Sequence, residues 1–168
     1  MKRITQAALG VAGTLAALSL ATGVFIYSGV YNIGADDHHT RMVLALIGQL
    51  RDRSIAVRAG AIEVPDLDDP GRIAAGARQY AQHCAGCHLA PGVTRSDLRP
   101  GLYPHPPNLV QAEPPDARRA FWTIKHGIKM SAMPAWGKTL DDAAIWDVVA
   151  LVRKLPALPP EAYGQLAQ

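Results

Sequence analysis

A chain of 168 residues has room for one compact domain and an appendage, and 49% apolar against 18% charged residues excludes wholesale disorder. Lys2 and Arg3 supply two of the 17 basic residues; the remaining 15 face 14 acidic ones, a balance that excludes the concentrated basic face of a nucleic-acid binder. Two cysteines only three positions apart exclude a disulfide framework.

Residues 1–35 read as a membrane anchor. No charged side chain falls between positions 4 and 35. A bilayer core takes roughly 20 apolar residues in a helix, and residues 4–30 meet that with room to tilt. A cleaved signal peptide is the competing reading, because Ser19 and Ala21 fit a small-x-small cleavage site. Val24, Phe25, Ile26 and Tyr27 carry the apolar run past that point, and Tyr27 and Tyr31 are placed as interfacial aromatics, which favours retention. The basic N-terminus then stays cytoplasmic and everything after Tyr31 lies outside. Gly13, Ala17 and Ala21 make a small-residue stripe of the kind that admits a second helix, but an Ala-rich span produces such stripes by chance.

Residues 36–68 read as an amphipathic helix and a linker. Met42, Val43, Leu46, Ile47 and Leu50 recur at helical spacing, with Arg41, Arg51 and Arg53 among the polar positions. The apolar side of this helix has three destinations: the membrane surface, the following domain, or a partner subunit. His38 and His39 are adjacent, so they point in different directions and read as solvated rather than as a metal pair.

Residues 69–156 carry the domain. Asp69 is placed to cap a helix over residues 70–83, with Pro70 at its first position, where a missing N–H costs nothing. Residues 91–115 contain Pro100, Pro104, Pro106 and Pro107, which forbids a central strand or long helix. A helix over 116–126 ends at Gly127, a natural left-handed terminator. Thr139 and Asp142 form a T-x-x-D capping box for a last helix running to about Leu155, with Ile145, Val148, Val149 and Val152 as its buried face. Residues 157–168 are left as a tail. No strand is predicted, so the fold class is all-α.

The chemistry is concentrated in Cys84-Ala85-Gly86-Cys87-His88. C-x-x-C-H is the attachment signature of c-type haem. Thiols three residues apart on a helical turn share a face and can both bond one porphyrin, and the adjacent imidazole of His88 then meets the iron. A thioredoxin-like site would need a β-α-β context, and structural zinc would need four ligands, where Cys84 and Cys87 with His83 supply only three. One covalent haem c is the expected cofactor, and His88 is its first axial ligand.

Beyond that motif stand Gly76-x-x-x-Tyr80, Pro107-Asn108-Leu109, His126-Gly127, Met133-Pro134-Ala135-Trp136 and a terminal helix with Trp146. In combination they resemble the class I, mitochondrial-like cytochrome c family in its membrane-anchored bacterial form, over about residues 69–155. The resemblance implies that the helix before the haem motif crosses the last helix, with Gly76 and Tyr80 meeting the Trp146 face. It implies Met133, in the family's Met-Pro word, as the second iron ligand. Met130, three residues earlier, and His126, in a bis-His arrangement, are the alternatives, since Met1 lies in the wrong compartment and Met42 precedes the domain. It also implies that the carbonyl of Pro107 accepts from the second ring nitrogen of His88, which would fix the tautomer. Lys125, Lys129 and Lys138 bracket the methionine loop, where they would steer an acidic redox partner.

The implied function is electron transfer in the bacterial periplasm by a protein held to the inner membrane. It would act as a carrier, or as the cytochrome subunit of a dehydrogenase or terminal-oxidase complex, with redox proteins and membrane lipid as partners and no nucleic acid. The alternative is a haem enzyme such as a peroxidase, with an open or weakly held sixth iron position.

Overall fold

A computed structural model describes residues 2–168; Met1 lies outside the described residues. The chain divides into two compact units, Met1–Asp37 and His38–Gln168. The first is built on helix α1 (Lys2–Ser28), which is long and apolar enough to cross a membrane and buries none of its residues. It ends at Gly29, whose φ of 64° suits a residue without a Cβ.

The second unit contains α2 (Arg41–Ala59), α3 (Pro70–His83), α4 (Ala85–His88), α5 (Ala117–His126), α6 (Asp142–Val152) and α7 (Pro160–Leu166), joined by short 3-10 turns. It is all-helical; among the described residues the only β pairing is an isolated bridge between Ala90 and Val93. The caps explain several boundaries. The Asp69 carboxylate accepts from Arg72 N–H at 2.8 Å, and that of Asp116 accepts from Arg119 N–H at 3.0 Å. The expected capping box at Thr139 and Asp142 does not form. Asp141 caps α6 instead, accepting from Ala144 N–H at 2.8 Å, while the Thr139 hydroxyl donates to the Trp136 carbonyl at 3.2 Å. Trp136–Lys138 is wound into a 3-10 turn, so the chain is still turning where the box would have to open. Asp142 is left to pair with Lys125 of α5 at 2.7 Å.

Helix α6 is the centre of the unit. Its buried set includes Trp146, Ala150 and Leu151 as well as the four predicted positions, because it is packed on several sides rather than one. Trp146 stacks on Phe121 of α5, with ring centroids 4.2 Å apart and an interplanar angle of 19°. Against α3 the approach is closer: a Cβ on Gly76 would stand 2.0 Å from the carbonyl oxygen of Asp147. Gly76 therefore meets the main chain beside Trp146, not its ring. Arg72 and Asp147 tie the same two helices at 2.8 Å. Tyr80, expected at the same face, is wholly buried and sets its ring edge-on to Tyr163 of α7 at 6.4 Å. The last helix ends at Val152, earlier than expected, and residues 157–168 contain α7, whose Tyr163 joins the core.

Helix α2 reaches one of its three possible destinations, the following domain. It packs near α5 through Ile55 and Ala59, and Arg119 donates to the Asp52 carbonyl at 3.0 Å. Of the predicted apolar set, Val43 is half-buried, and Met42, Leu46, Ile47 and Leu50 are exposed.

Candidate functional site

Helix α3 delivers the chain to the cysteines. Cys84 N–H closes α3 on the Tyr80 carbonyl at 2.9 Å, and the Cys84 carbonyl then starts a new turn, accepting from Cys87 N–H at 3.1 Å and His88 N–H at 2.9 Å. Both thiols and the imidazole thus belong to one short helical turn, with Cys84 and Cys87 at the three-residue spacing that shares a face. The turn is pinned on its outer side by Ser96, whose hydroxyl donates to the Gly86 carbonyl at 2.5 Å. It ends at Leu89, a buried leucine with φ of 63°. With ψ at 177° this backbone state is one nearly confined to glycine, and it costs about 1–3 kcal/mol. Two hydrogen bonds hold it: Leu89 N–H to the Ala85 carbonyl at 3.0 Å, and the buried Tyr80 hydroxyl to the Leu89 carbonyl at 2.7 Å. Tyr80 is therefore a strut under the motif.

His88 is gripped twice by the proline-rich segment. Its Nδ1 lies 3.0 Å from the Pro107 carbonyl, and its own carbonyl accepts from Leu109 N–H at 3.2 Å. A carbonyl can only accept, so Nδ1 carries the hydrogen and Nε2 keeps the lone pair that a metal needs. Burial holds the imidazole below its ordinary pKa, against the opposing Pro107 hydrogen bond and with a smaller push from the Arg99 cation, so the ring is neutral and able to ligate. Neither cysteine is in a disulfide. Burial, with a smaller contribution from neighbouring Cys87, pushes the Cys84 thiol up to about 12, the opposite of what a redox-active or catalytic cysteine requires.

Arg99 was not among the residues singled out from the sequence. Its Nη2 donates to the Pro106 carbonyl at 2.6 Å, while its Nε is buried with no partner within the protein. An arginine in a proline-rich loop carries no signal of such burial; the environment comes only from the folding of residues 99–107.

Met133 sits on a loop folded back against the end of α5. Gly127, at φ 65°, closes α5, and a Cβ there would stand 2.7 Å from the carbonyl oxygen of Met133 and 2.8 Å from the nitrogen of Ala135. Ile128 N–H donates to the Met133 carbonyl at 3.1 Å, and the Ser131 hydroxyl accepts from Met133 N–H at 3.2 Å. Met133 is half-buried and packs against the core, whereas Met130 is 99% exposed. His126 is exposed, its ring 4.8 Å from that of Trp122. Beyond Met133, Trp136 lies against His83 at 4.7 Å between rings, which ties the methionine loop to the residue just before Cys84. His83 is thus engaged with an aromatic ring, and among the described residues no three His, Cys, Asp or Glu side chains converge as a metal-binding group. Of the three lysines around the loop, Lys125 is paired with Asp142 and extends over the Phe121 ring, and Lys129 and Lys138 are exposed.

The structure therefore brings Cys84, Cys87, His88 and Pro107 together, and holds Met133 on its own loop through contacts to α5. The residues fit a covalently attached haem: two unpaired thiols on one turn, a neutral imidazole with its outer nitrogen free of the Pro107 bond, and at Arg99 an orphaned donor suited to a carboxylate. Residues 71–152 match the protein family described as Cytochrome C oxidase, cbb3-type, subunit III. No solved structure matches the chain. With this match and the geometry of the Cys84–His88 turn, residues 71–152 resemble a c-type cytochrome domain; the cofactor they imply is haem c, and the activity they support is electron transfer.

Proposed function

We propose that this chain is a membrane-tethered mono-haem electron carrier, with its iron held between His88 and Met133 and its haem domain in the periplasm of a bacterium. The observation that carries the reading is the fixed His88 ring, with Nδ1 committed to Pro107 at 3.0 Å and Nε2 left for the metal. The contrast between half-buried Met133 and fully exposed Met130 supports the choice of thioether. When bound, haem c supplies a reversible one-electron ferric–ferrous couple. The protein's part would be to hold the iron with its own side chains, His88 and Met133; Pro107 would make His88 a better donor, and the Met133 thioether would raise the potential relative to a second imidazole. The buried Arg99 Nε is placed in this reading as the partner of a haem carboxylate.

Helix α1 is the retained anchor, and it confines the domain near membrane-bound donors and acceptors, raising their effective concentration. The name of the matched family refers to a subunit of a terminal oxidase. For this chain we take the corresponding role to be the cytochrome subunit of, or carrier to, such a complex or a dehydrogenase.

Ferrous protein at neutral pH is expected to show no carbon monoxide adduct within minutes, because Met133 fills the sixth position. Rapid formation of the adduct would favour the haem-enzyme reading instead. Cys84→Ala and Cys87→Ala are each expected to lose most of the haem stain that survives a denaturing gel, and unchanged staining in both would remove the basis for covalent attachment through this turn.

A further inference from the structure

We propose that α2 is a membrane-surface helix: Met42, Leu46, Ile47 and Leu50 enter the boundary between headgroups and acyl chains, and the arginines that follow hold anionic lipid phosphates. This rests on the reading of α1 as a retained anchor. Three observations carry it.

The first is that α2 has two apolar faces and the domain uses only one. Ile55 and Ala59 are buried in the second unit. Met42, Leu46 and Leu50 recur every four residues on a different arc of the helix, with Ile47 beside them, and are 74%, 66%, 72% and, for Ile47, 48% exposed. A folded domain does not ordinarily leave such a contiguous patch in water unless something covers it.

The second is charge. Helix α2 carries Arg41, Arg51, Arg53 and Arg58 against a single acid, Asp52. The Asp52 carboxylate is paired with Arg51 at 2.8 Å and is held below the usual carboxylate range by that hydrogen bond. The helix is therefore strongly cationic. The apolar arc occupies its first half and three of the four arginines its second, so the apolar side chains can dip into lipid while the longer, charged ones stay at headgroup level. Basic side chains flanking an apolar stripe match an anionic bilayer surface better than a neutral protein partner.

The third is reach. Only residues 29–40 link α1 to α2, which at the length of an extended chain is at most roughly 40 Å. With α1 in the bilayer, a lipid surface is always within range of α2. The link itself exposes apolar side chains, with Val30 at 71% and Ile33 at 91%.

The test uses the full-length, haem-loaded protein in vesicles of phosphatidylcholine alone or with phosphatidylglycerol added. Spin labels are placed one at a time through Leu46→Cys, Leu18→Cys in α1, and Gln82→Cys as a water-exposed control; the native thiols are occupied by haem. Collision with oxygen and with a water-soluble nickel chelate is read by power saturation. The expected result is that the Leu46 label loses nickel collisions and keeps oxygen collisions in the anionic vesicles, and that Arg53→Gln with Arg58→Gln abolishes the difference between the two lipid compositions. A Leu18 label in lipid with a Leu46 label fully open to nickel overturns the proposal while leaving the anchor intact. A Leu18 label open to nickel overturns the anchor and with it the proposal. A Leu46 label shielded from both reagents means that protein, not lipid, covers α2, and equal protection in both vesicles overturns the assignment of the arginines to anionic headgroups.

Discussion

Gly76→Ala is expected to destabilise the haem domain more than any other single methyl addition. The new Cβ would lie 2.0 Å from the carbonyl oxygen and 2.5 Å from the carbonyl carbon of Asp147, and 3.1 Å from the nitrogen of Val148. All three neighbours are main-chain atoms of α6, so no rotamer change relieves the overlap; α3 and α6 must move apart. That separation would loosen the packing of the buried residues of α6 and stretch the Arg72–Asp147 pair. Overpacking of a well-packed core costs about 1–3 kcal/mol, and a backbone-to-backbone overlap belongs at or above the upper end. For a unit of this size the melting temperature should fall by roughly 10–15 °C. Gly48→Ala is the matched control: nothing lies within 4 Å of its Cβ position, so this change in the interior of α2 should be neutral or stabilising by up to about 1 kcal/mol. Thermal melts of the haem-loaded proteins followed by far-ultraviolet circular dichroism make the comparison. If the two variants melt together, the close crossing of α3 on α6 is wrong.

Met133→Ala is expected to have the largest effect on redox behaviour. Removing the thioether should eliminate the weak near-infrared absorption of a ferric iron–sulfur bond. It should also lower the midpoint potential by an amount on the order of 0.1 V, a fraction of the ~0.8 V range that axial ligands span. The sixth position then opens, so carbon monoxide should bind the ferrous variant readily. Met130→Ala should leave all three properties unchanged, because that side chain is 99% exposed and its backbone lies at φ 57° on the outer bend of the loop. Loss of the near-infrared band in Met130→Ala with its retention in Met133→Ala would reverse the assignment. A second, gentler probe is Gly127→Ala, which strains φ 65° and presses a Cβ into the backbone of residues 133–135. If Gly127 positions the methionine loop, this variant should weaken the same band without removing the sulfur.

Much of this arrangement is legible in the sequence because it depends on near neighbours in the chain. The turn from Cys84 to His88 is closed by hydrogen bonds across three and four residues, and the Asp69 and Asp116 caps act across three. Gly127 as a terminator and the apolar length of α1 are likewise local properties. The capping of α6 and the buried positions of α2, by contrast, depend on neighbouring segments. Thr139 and Asp142 have the letters of a capping box, but the 3-10 turn at residues 136–138 arrives from the methionine loop and shifts the cap of α6 to Asp141. In α2 the better periodic stripe is the exposed one; packing against the domain selected Ile55 and Ala59, which a count of apolar spacing undervalues.

The sequence alone therefore determined an all-helical chain, its apolar leading segment and the chemistry of two thiols beside an imidazole, since each is written within a few consecutive residues. Only the tertiary structure decided that Tyr80 props Leu89, that Asp147 sets the room at Gly76, that Tyr163 of the last helix enters the core, and that Met133 rather than Met130 packs inward. The physical reason is the same for all four. Each depends on where a distant stretch of backbone comes to lie, and that position follows from closing the whole core rather than from the preference of any one segment.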